Sequence, residues 1–311
     1  MSTAADPILA TLEATRPARR LAISATVSDY WSLTKPEVNF LIVITTFAGF
    51  YLGSAGSQAF PFLRMVNTLL GTLLVASGTG TLNQYIERRF DAQMRRTARR
   101  PLAAGRLQPN AVLWFGIALS AVGGIYLAVT VNVLASLLAI ATLLSYLFIY
   151  TPLKRKTALC TLVGAFPGAM PPLIGWAAAS GTLNLEAWVL YSILFLWQFP
   201  HFMAIAWMYR EDYVRAGFLV LPLQRKARSG AVILQTLVPL LALLPLSLLP
   251  FFARESRVLY MAAAYILSAG YFCYGAQFVL RPTNAQARKL LMASIIYLPS
   301  VFGLLVFARG A

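Results

Sequence analysis

Three oxygen-bearing side chains recur at every fourth position of NQYIERRFDAQMRRTARRPL, the stretch from Asn83 to Leu102: Asn83, Glu87 and Asp91. On a helix that spacing puts them on one face, within about 80°. An amide oxygen and two carboxylates in a row suit a hard cation such as Mg²⁺, which takes oxygen donors and often bridges to substrate phosphates. Seven arginines crowd the same stretch as far as Arg106. One reading is a solvated helix face on which Glu87 and Asp91 pair with nearby Arg. The other is a single site, in which the acids hold Mg²⁺, the metal holds a diphosphate, and guanidinium or ammonium groups neutralise the remaining charge. Isolated surface ion pairs contribute little, so the density of Arg favours the second.

A second constellation lies in WQFPHFMAIAWMYREDYVRAGFLVLP, Trp197 to Pro222. It carries Glu211 and Asp212, two of the chain's ten acids, and His201, its only histidine. Pro200 frees a backbone carbonyl and bends a helix there. A lone histidine in a bundle is commonly a hydrogen-bonded packing residue. Here Trp197, Gln198, Phe199 and Phe202 surround it in sequence, which suggests an aromatic pocket for a flat ligand. GAFPGAMPPLIGW, Gly164 to Trp176, breaks an apolar run. Its small residues serve either close helix packing or a covered cavity. YTPLKRKT, Tyr150 to Thr157, is a tight turn whose Lys154, Arg155 and Lys156 are either topogenic charge or a further anion contact. RPLAAGRL, 100–107, reads as a fixed turn.

The elements that must position these residues are membrane helices. The chain has 311 residues, 59% of them hydrophobic, against roughly 45–50% in soluble domains. The apolar residues fall in runs of about 20, enough to cross a bilayer as helix. Nine spans are predicted, at 36–56, 65–86, 109–129, 131–151, 158–178, 186–206, 230–252, 256–279 and 289–309. Short links such as Thr130–Asn132 make neighbours antiparallel, so the fold class is an all-α polytopic bundle. Of the 26 Lys and Arg, only Arg64, Arg254, Arg257 and Arg309 fall on one side of these spans. The basic side should be cytoplasmic, with the N-terminus on it and the C-terminus across the membrane. The net charge of +16 is thus explained by topology and anionic lipid, with no nucleic acid needed. Residues 1–30 read as a flexible tail with no secretory signal, followed by one membrane domain, 31–311. Cys160 and Cys273 sit in or at apolar spans and imply no disulfide.

Taken together these motifs resemble the haem-farnesylating branch of the UbiA-type intramembrane prenyltransferases, the protohaem IX farnesyltransferases or haem O synthases. The resemblance rests on N-x3-E-x3-D at 83–91, R-T at 96–97, R-P-L at 100–102, YTPLKR at 150–155, GAMPPLIGW at 168–176, and WQFPHF with EDYVRAGFLVLP downstream. It covers about 35 to 220; the last three spans match in hydropathy only. It implies nine helices around a central cavity opening to the cytoplasmic side. It also implies Mg²⁺-dependent transfer of farnesyl from farnesyl diphosphate to a vinyl group of haem B, giving haem O. Carried over by position, Asn83, Glu87, Asp91 and Asp212 hold the metal. Arg88, Arg96, Arg100, Lys154 and Arg155 are the candidates to bind diphosphate. His201 serves haem, as iron ligand or as base toward water.

Three positions depart from the family pattern. Glu87 stands where Asp is common, which lengthens the arm. Tyr209 and Tyr213 flank Glu211-Asp212 where many members carry two Asp four apart. Cys160 replaces a common Asn. Rival readings are a prenyltransferase with an aromatic or quinone-precursor acceptor, and a transporter or assembly factor for a haem protein. The lone His201 in PHF argues against the first, and the lack of a convincing internal repeat against transport. The resemblance places the protein in a bacterial cell inner membrane, with the mitochondrial inner membrane as the alternative. Lipid is then its solvent, and haem A synthase or terminal-oxidase assembly its downstream partner.

Overall fold

A computed structural model describes residues 25–55, 59–220, 230–249 and 257–310. The first 24 residues, the basic Arg225, Lys226 and Arg228, and Arg254 lie outside the described residues, as do the predicted span ends at 56, 250–252 and 256. Within them, nine helices are long and apolar enough to cross a membrane. They agree with the nine predicted spans to within a few residues at most ends.

A helix at 25–33 (α1) takes in the last described part of the predicted tail. The chain continues through α2 (Pro36–Gly53), α3 (Phe62–Asp91), α4 (Pro109–Thr130), α5 (Val133–Leu153), α6 (Cys160–Gly168) and α7 (Pro171–Ser180). It ends with α8 (Leu185–Met208), a short α9 (Arg210–Arg215), α10 (Gly230–Ser247), α11 (Arg257–Leu280) and α12 (Asn284–Gly310). Proline opens α2, α4 and α7, where its missing N–H costs nothing. Asn132 caps α5 by accepting from the Ala135 N–H at 2.8 Å, and Asn184 caps α8 through the Ala187 N–H at 3.2 Å. Trp114, Phe148, Ile266 and Phe307 point outward, as expected of helices solvated by acyl chains.

The fifth span is the hub. α7 packs against α2, α3, α5 and α8, and α12 returns against α2 and α8. The fifth and sixth spans each bury 67% of their apolar window, while no other buries more than 50%. The approach at the hub is backbone to backbone. A Cβ on Gly49 would collide with the Pro172 carbonyl, and one on Gly175 with the Thr46 carbonyl. A Cβ on Gly168 would strike the Gln198 amide. The small residues of GAFPGAMPPLIGW therefore serve close packing. The predicted break is also present, between α6 and α7. Gln198 Nε2 donates to the Ala165 carbonyl at 3.1 Å, beside the break, so the irregular backbone is covered by protein.

α5 is not a uniform helix. Residues Ser145–Tyr150 form a π-helical turn just before Pro152, and Thr151 Oγ1 donates to the Tyr146 carbonyl at 2.8 Å. Such turns concentrate at functional sites, and this one sets the phase of Lys154 that follows.

Gly175→Val should overpack the α2–α7 contact and cost about 1–3 kcal/mol. A clear fall in the thermal unfolding midpoint in detergent is expected. An unchanged midpoint would show that the hub relaxes more than this contact allows.

Candidate active site

The acidic stripe stands on the last turns of α3, where the helix runs beyond its apolar part. Asn83, Glu87 and Asp91 are all buried, at 2%, 5% and 1% exposure. A helix C-terminus carries partial negative charge, so two buried carboxylates there are poorly placed by themselves. Each stripe side chain is met by a cation. Lys35 Nζ donates to Asn83 Oδ1 at 2.8 Å, Lys154 Nζ reaches Glu87 Oε1 at 2.8 Å, and Arg100 Nη1 reaches Asp91 Oδ2 at 2.8 Å. The stripe is therefore not a solvated face: Lys35 and Lys154 reach it from segments 48 and 67 residues away, and Asp91 pairs with the nearby Arg100.

Lys35 was assigned by sequence only a topological role, yet it is part of this cluster. It precedes Pro36 with φ 53 and ψ 61 and is the only non-glycine with positive φ among the described residues. Left-handed backbone disfavours a side-chain-bearing residue, and here it delivers the ammonium to Asn83. Burial, with Arg100 and Lys154 nearby, pulls the Lys35 pKa down from its usual range to about 7. Asn83 Nδ2 also faces Thr151 Oγ1 at 3.4 Å, beside the π turn.

Two loops close over the stripe. After α3, Thr97 Oγ1 donates to the Asp91 carbonyl at 2.8 Å, and Gly105, at φ 73, completes the turn read from RPLAAGRL. The second is α9 with the loop that follows it. Asp212 Oδ2 accepts from the Arg96 backbone N–H at 3.2 Å, and Asp212 Oδ1 pairs with Arg215 at 3.2 Å. The Leu219 N–H donates to the Lys154 carbonyl at 2.7 Å. Met94, Ala216 and Phe218 form a small apolar core between the loops. Asp212 thus ties the second motif to the first through a loop backbone.

The expected diphosphate residues divide. Arg100 and Lys154 touch the stripe directly. Arg96 lies over the Tyr209 ring at 4.7 Å and the Tyr213 ring at 5.9 Å. Arg155 lies over Phe90 at 4.2 Å, and Arg88 over Tyr85 at 4.4 Å. The residues fit a hard cation. The donors are amide and carboxylate oxygens, and Asp91 Oδ1 is buried with no hydrogen-bond partner. Among the described residues no three His, Cys, Asp or Glu side chains gather in one group; each carboxylate faces a cation instead.

His201 belongs to a different set of contacts, between α8 and α12. Its Nδ1 lies 2.8 Å from Ser294 Oγ. Its ring stacks on Trp197, with centroids 4.6 Å apart, and meets Phe202 edge-on at 5.7 Å. The aromatic pocket expected from WQFPHF is therefore half present. Gln198 turns to α6, and Phe199 packs edge-on to Phe195 at 5.2 Å. The helical period separates the two pairs: Trp197 lies one turn before His201 on the same face, while Gln198 and Phe199 point elsewhere.

Residues 42–298 match the UbiA prenyltransferase family. The chain belongs to the UbiA prenyltransferase family. A protoheme IX farnesyltransferase from Solibacter usitatus is 46% identical over 90% of this chain and 98% of its own. One from Myxococcus xanthus is 40% identical, covering 94% of this chain and 98% of its own. The UbiA fold is equally evident in solved structures. A digeranylgeranylglyceryl phosphate synthase aligns with TM-score 0.69 at 17% identity, over 92% of this chain and 99% of its own. A UbiA homologue from Archaeoglobus fulgidus bound to GPP and Mg²⁺ aligns with TM-score 0.61 at 15% identity, over 89% of this chain and 99% of its own.

Lys154 and Glu87 side chains are 13% and 7% exposed. Lys154→Met strands a buried carboxylate and should cost about 3–5 kcal/mol. Lys154→Met with Glu87→Gln should recover most of that loss. Equal destabilisation by the single and double variants, in thermal unfolding, would show that the pair is not coupled.

Proposed function

We propose that the protein transfers the farnesyl group of farnesyl diphosphate to a vinyl group of haem B, giving haem O. The observation that carries this reading is the buried Asn83-Glu87-Asp91 stripe matched by Lys35, Lys154 and Arg100, in a chain 46% identical to a protoheme IX farnesyltransferase. Asn83, Glu87 and Asp91 would hold Mg²⁺, with Asp212 contributing from the second loop. When bound, Mg²⁺ would supply Lewis-acid stabilisation of the departing diphosphate.

The chain's own residues do the rest. Binding of diphosphate gives Lys35, Lys154 and Arg100 a new anion, and their charges favour its departure. Arg96, Arg88 and Arg155 are the further diphosphate contacts, each moving from the aromatic ring it now covers. The allylic C–O bond breaks, and its electron pair leaves with the diphosphate. A cavity inside the bundle, opening at the basic end, keeps water from the farnesyl cation. The haem vinyl group attacks that cation. Water then adds to the haem-side cation and gives up a proton, leaving a hydroxyethylfarnesyl substituent. His201 holds the haem.

We infer that the basic end faces the cytoplasm of a bacterial cell, on the distribution of Lys and Arg. Haem A synthase or terminal-oxidase assembly would receive the product.

Purified protein supplied with haem B, farnesyl diphosphate and Mg²⁺ should yield haem O by mass. Asp91→Ala should lower turnover about a hundredfold or more, as should omission of Mg²⁺. Unchanged haem, with farnesyl transferred to another acceptor and diphosphate released, would remove the haem assignment and leave prenyl transfer. No turnover with any acceptor would remove the enzymatic reading.

A further inference from the structure

The hydrogen bonds around Ser294 determine which nitrogen of His201 carries a proton. Ser294 Oγ lies 2.5 Å from the Leu291 carbonyl and 2.8 Å from His201 Nδ1. A hydroxyl has one hydrogen, and a carbonyl can only accept. The Ser294 hydrogen is therefore committed to Leu291, and Oγ meets Nδ1 with a lone pair. With the Ser294 hydrogen so placed, Nδ1 is the N–H donor to Oγ, and Nε2 keeps its lone pair.

The ring is also held in orientation. Trp197 stacks on it, and Trp197 Nε1 donates to the Ser294 carbonyl at 2.7 Å. Tyr271 OH in turn donates to the Trp197 carbonyl at 3.0 Å. Three helices, α8, α11 and α12, thus fix one imidazole. Such a hydrogen bond on the far nitrogen is how a metal-ligating histidine is aimed and made more basic.

We propose that Ser294 is a positioning residue: it holds His201 with Nε2 bare, as the ligand for haem iron. This rests on the haem reading above only for the identity of the metal; the protonation pattern rests on the Ser294–Leu291 hydrogen bond. A bare Nε2 serves either role open to His201, iron ligand or base toward water, and the response of Nε2 to bound haem separates the two.

Because His201 is the only histidine, the test is direct. Protein labelled with ¹⁵N-histidine, and purified on a tag without histidine, gives two ring nitrogen signals. They are assigned by their couplings to the ring protons. Nδ1 should be protonated and Nε2 bare. Ser294→Ala should mix the two tautomers, and Ser294→Thr should restore the wild-type pattern, which separates tautomer control from a loss of packing. Diamagnetic ferrous-carbonyl haem B should then shift Nε2 strongly. Haem affinity should fall about 10–100-fold in Ser294→Ala and return in Ser294→Thr. A protonated Nε2 in wild type would overturn the proposal, as would an unchanged pattern in Ser294→Ala. Haem that is farnesylated without moving Nε2 would overturn the ligand role and leave the transfer reaction standing. Failure of wild type to bind or convert haem would overturn both.

Discussion

A carboxylate at the membrane end of a helix must be answered by a positive charge, and this structure is organised around that demand. Glu87 and Asp91 lie where the α3 dipole is negative and solvent is scarce. Their partners come from three separate places: Arg100 from the loop after α3, Lys154 from the end of α5, and Lys35, on neighbouring Asn83, from the start of α2. One stretch of helix thereby gathers the basic ends of the bundle. The same electrostatics make the site receptive. In the proposed reaction a divalent cation would satisfy the acids, and an incoming anion would satisfy the ammonium and guanidinium groups they release.

The rigid half of the molecule sets the positions and the loops complete them. Glycine contacts between α2 and α7 leave little room for sliding. Against that frame, Asp212 and a small apolar core link the 92–108 segment to the 216–220 segment, and the Leu219 N–H bonds to the Lys154 carbonyl. Leu102 and Leu107 anchor the first segment in a core with Leu33 and Val112.

The sequence made the stripe readable because its members are local: one helix face and one spacing. The nine spans were readable because length and hydropathy decide them. Lys35 was not. It lies 48 residues from Asn83, and its charge was fully accounted for by topology. Its backbone conformation, the real signal, has no signature in a Lys-Pro pair. Asp212 was named as a candidate without its partners, since the Arg96 N–H belongs to a loop 116 residues away. His201 was picked out as unique, while Ser294 sits 93 residues off in an apolar span with nothing to mark it. Pattern reading finds neighbours in sequence; the charge pairs and the imidazole are defined by neighbours in space.

The π turn at Ser145–Tyr150 has a consequence for how this helix can vary in length. It amounts to one residue inserted into an α-helix, and a residue advances the helix by about 100°. Removing one residue there would restore regular hydrogen bonding and leave the helix as apolar as before. It would also carry Lys154 a quarter of a turn or more from Glu87, along with the ring of Tyr150 that lies 4.6 Å from its ammonium. A one-residue deletion that tidies the helix would therefore undo the alignment of the site, and the local disorder of pitch acts as a vernier between a membrane helix and the charge it has to meet.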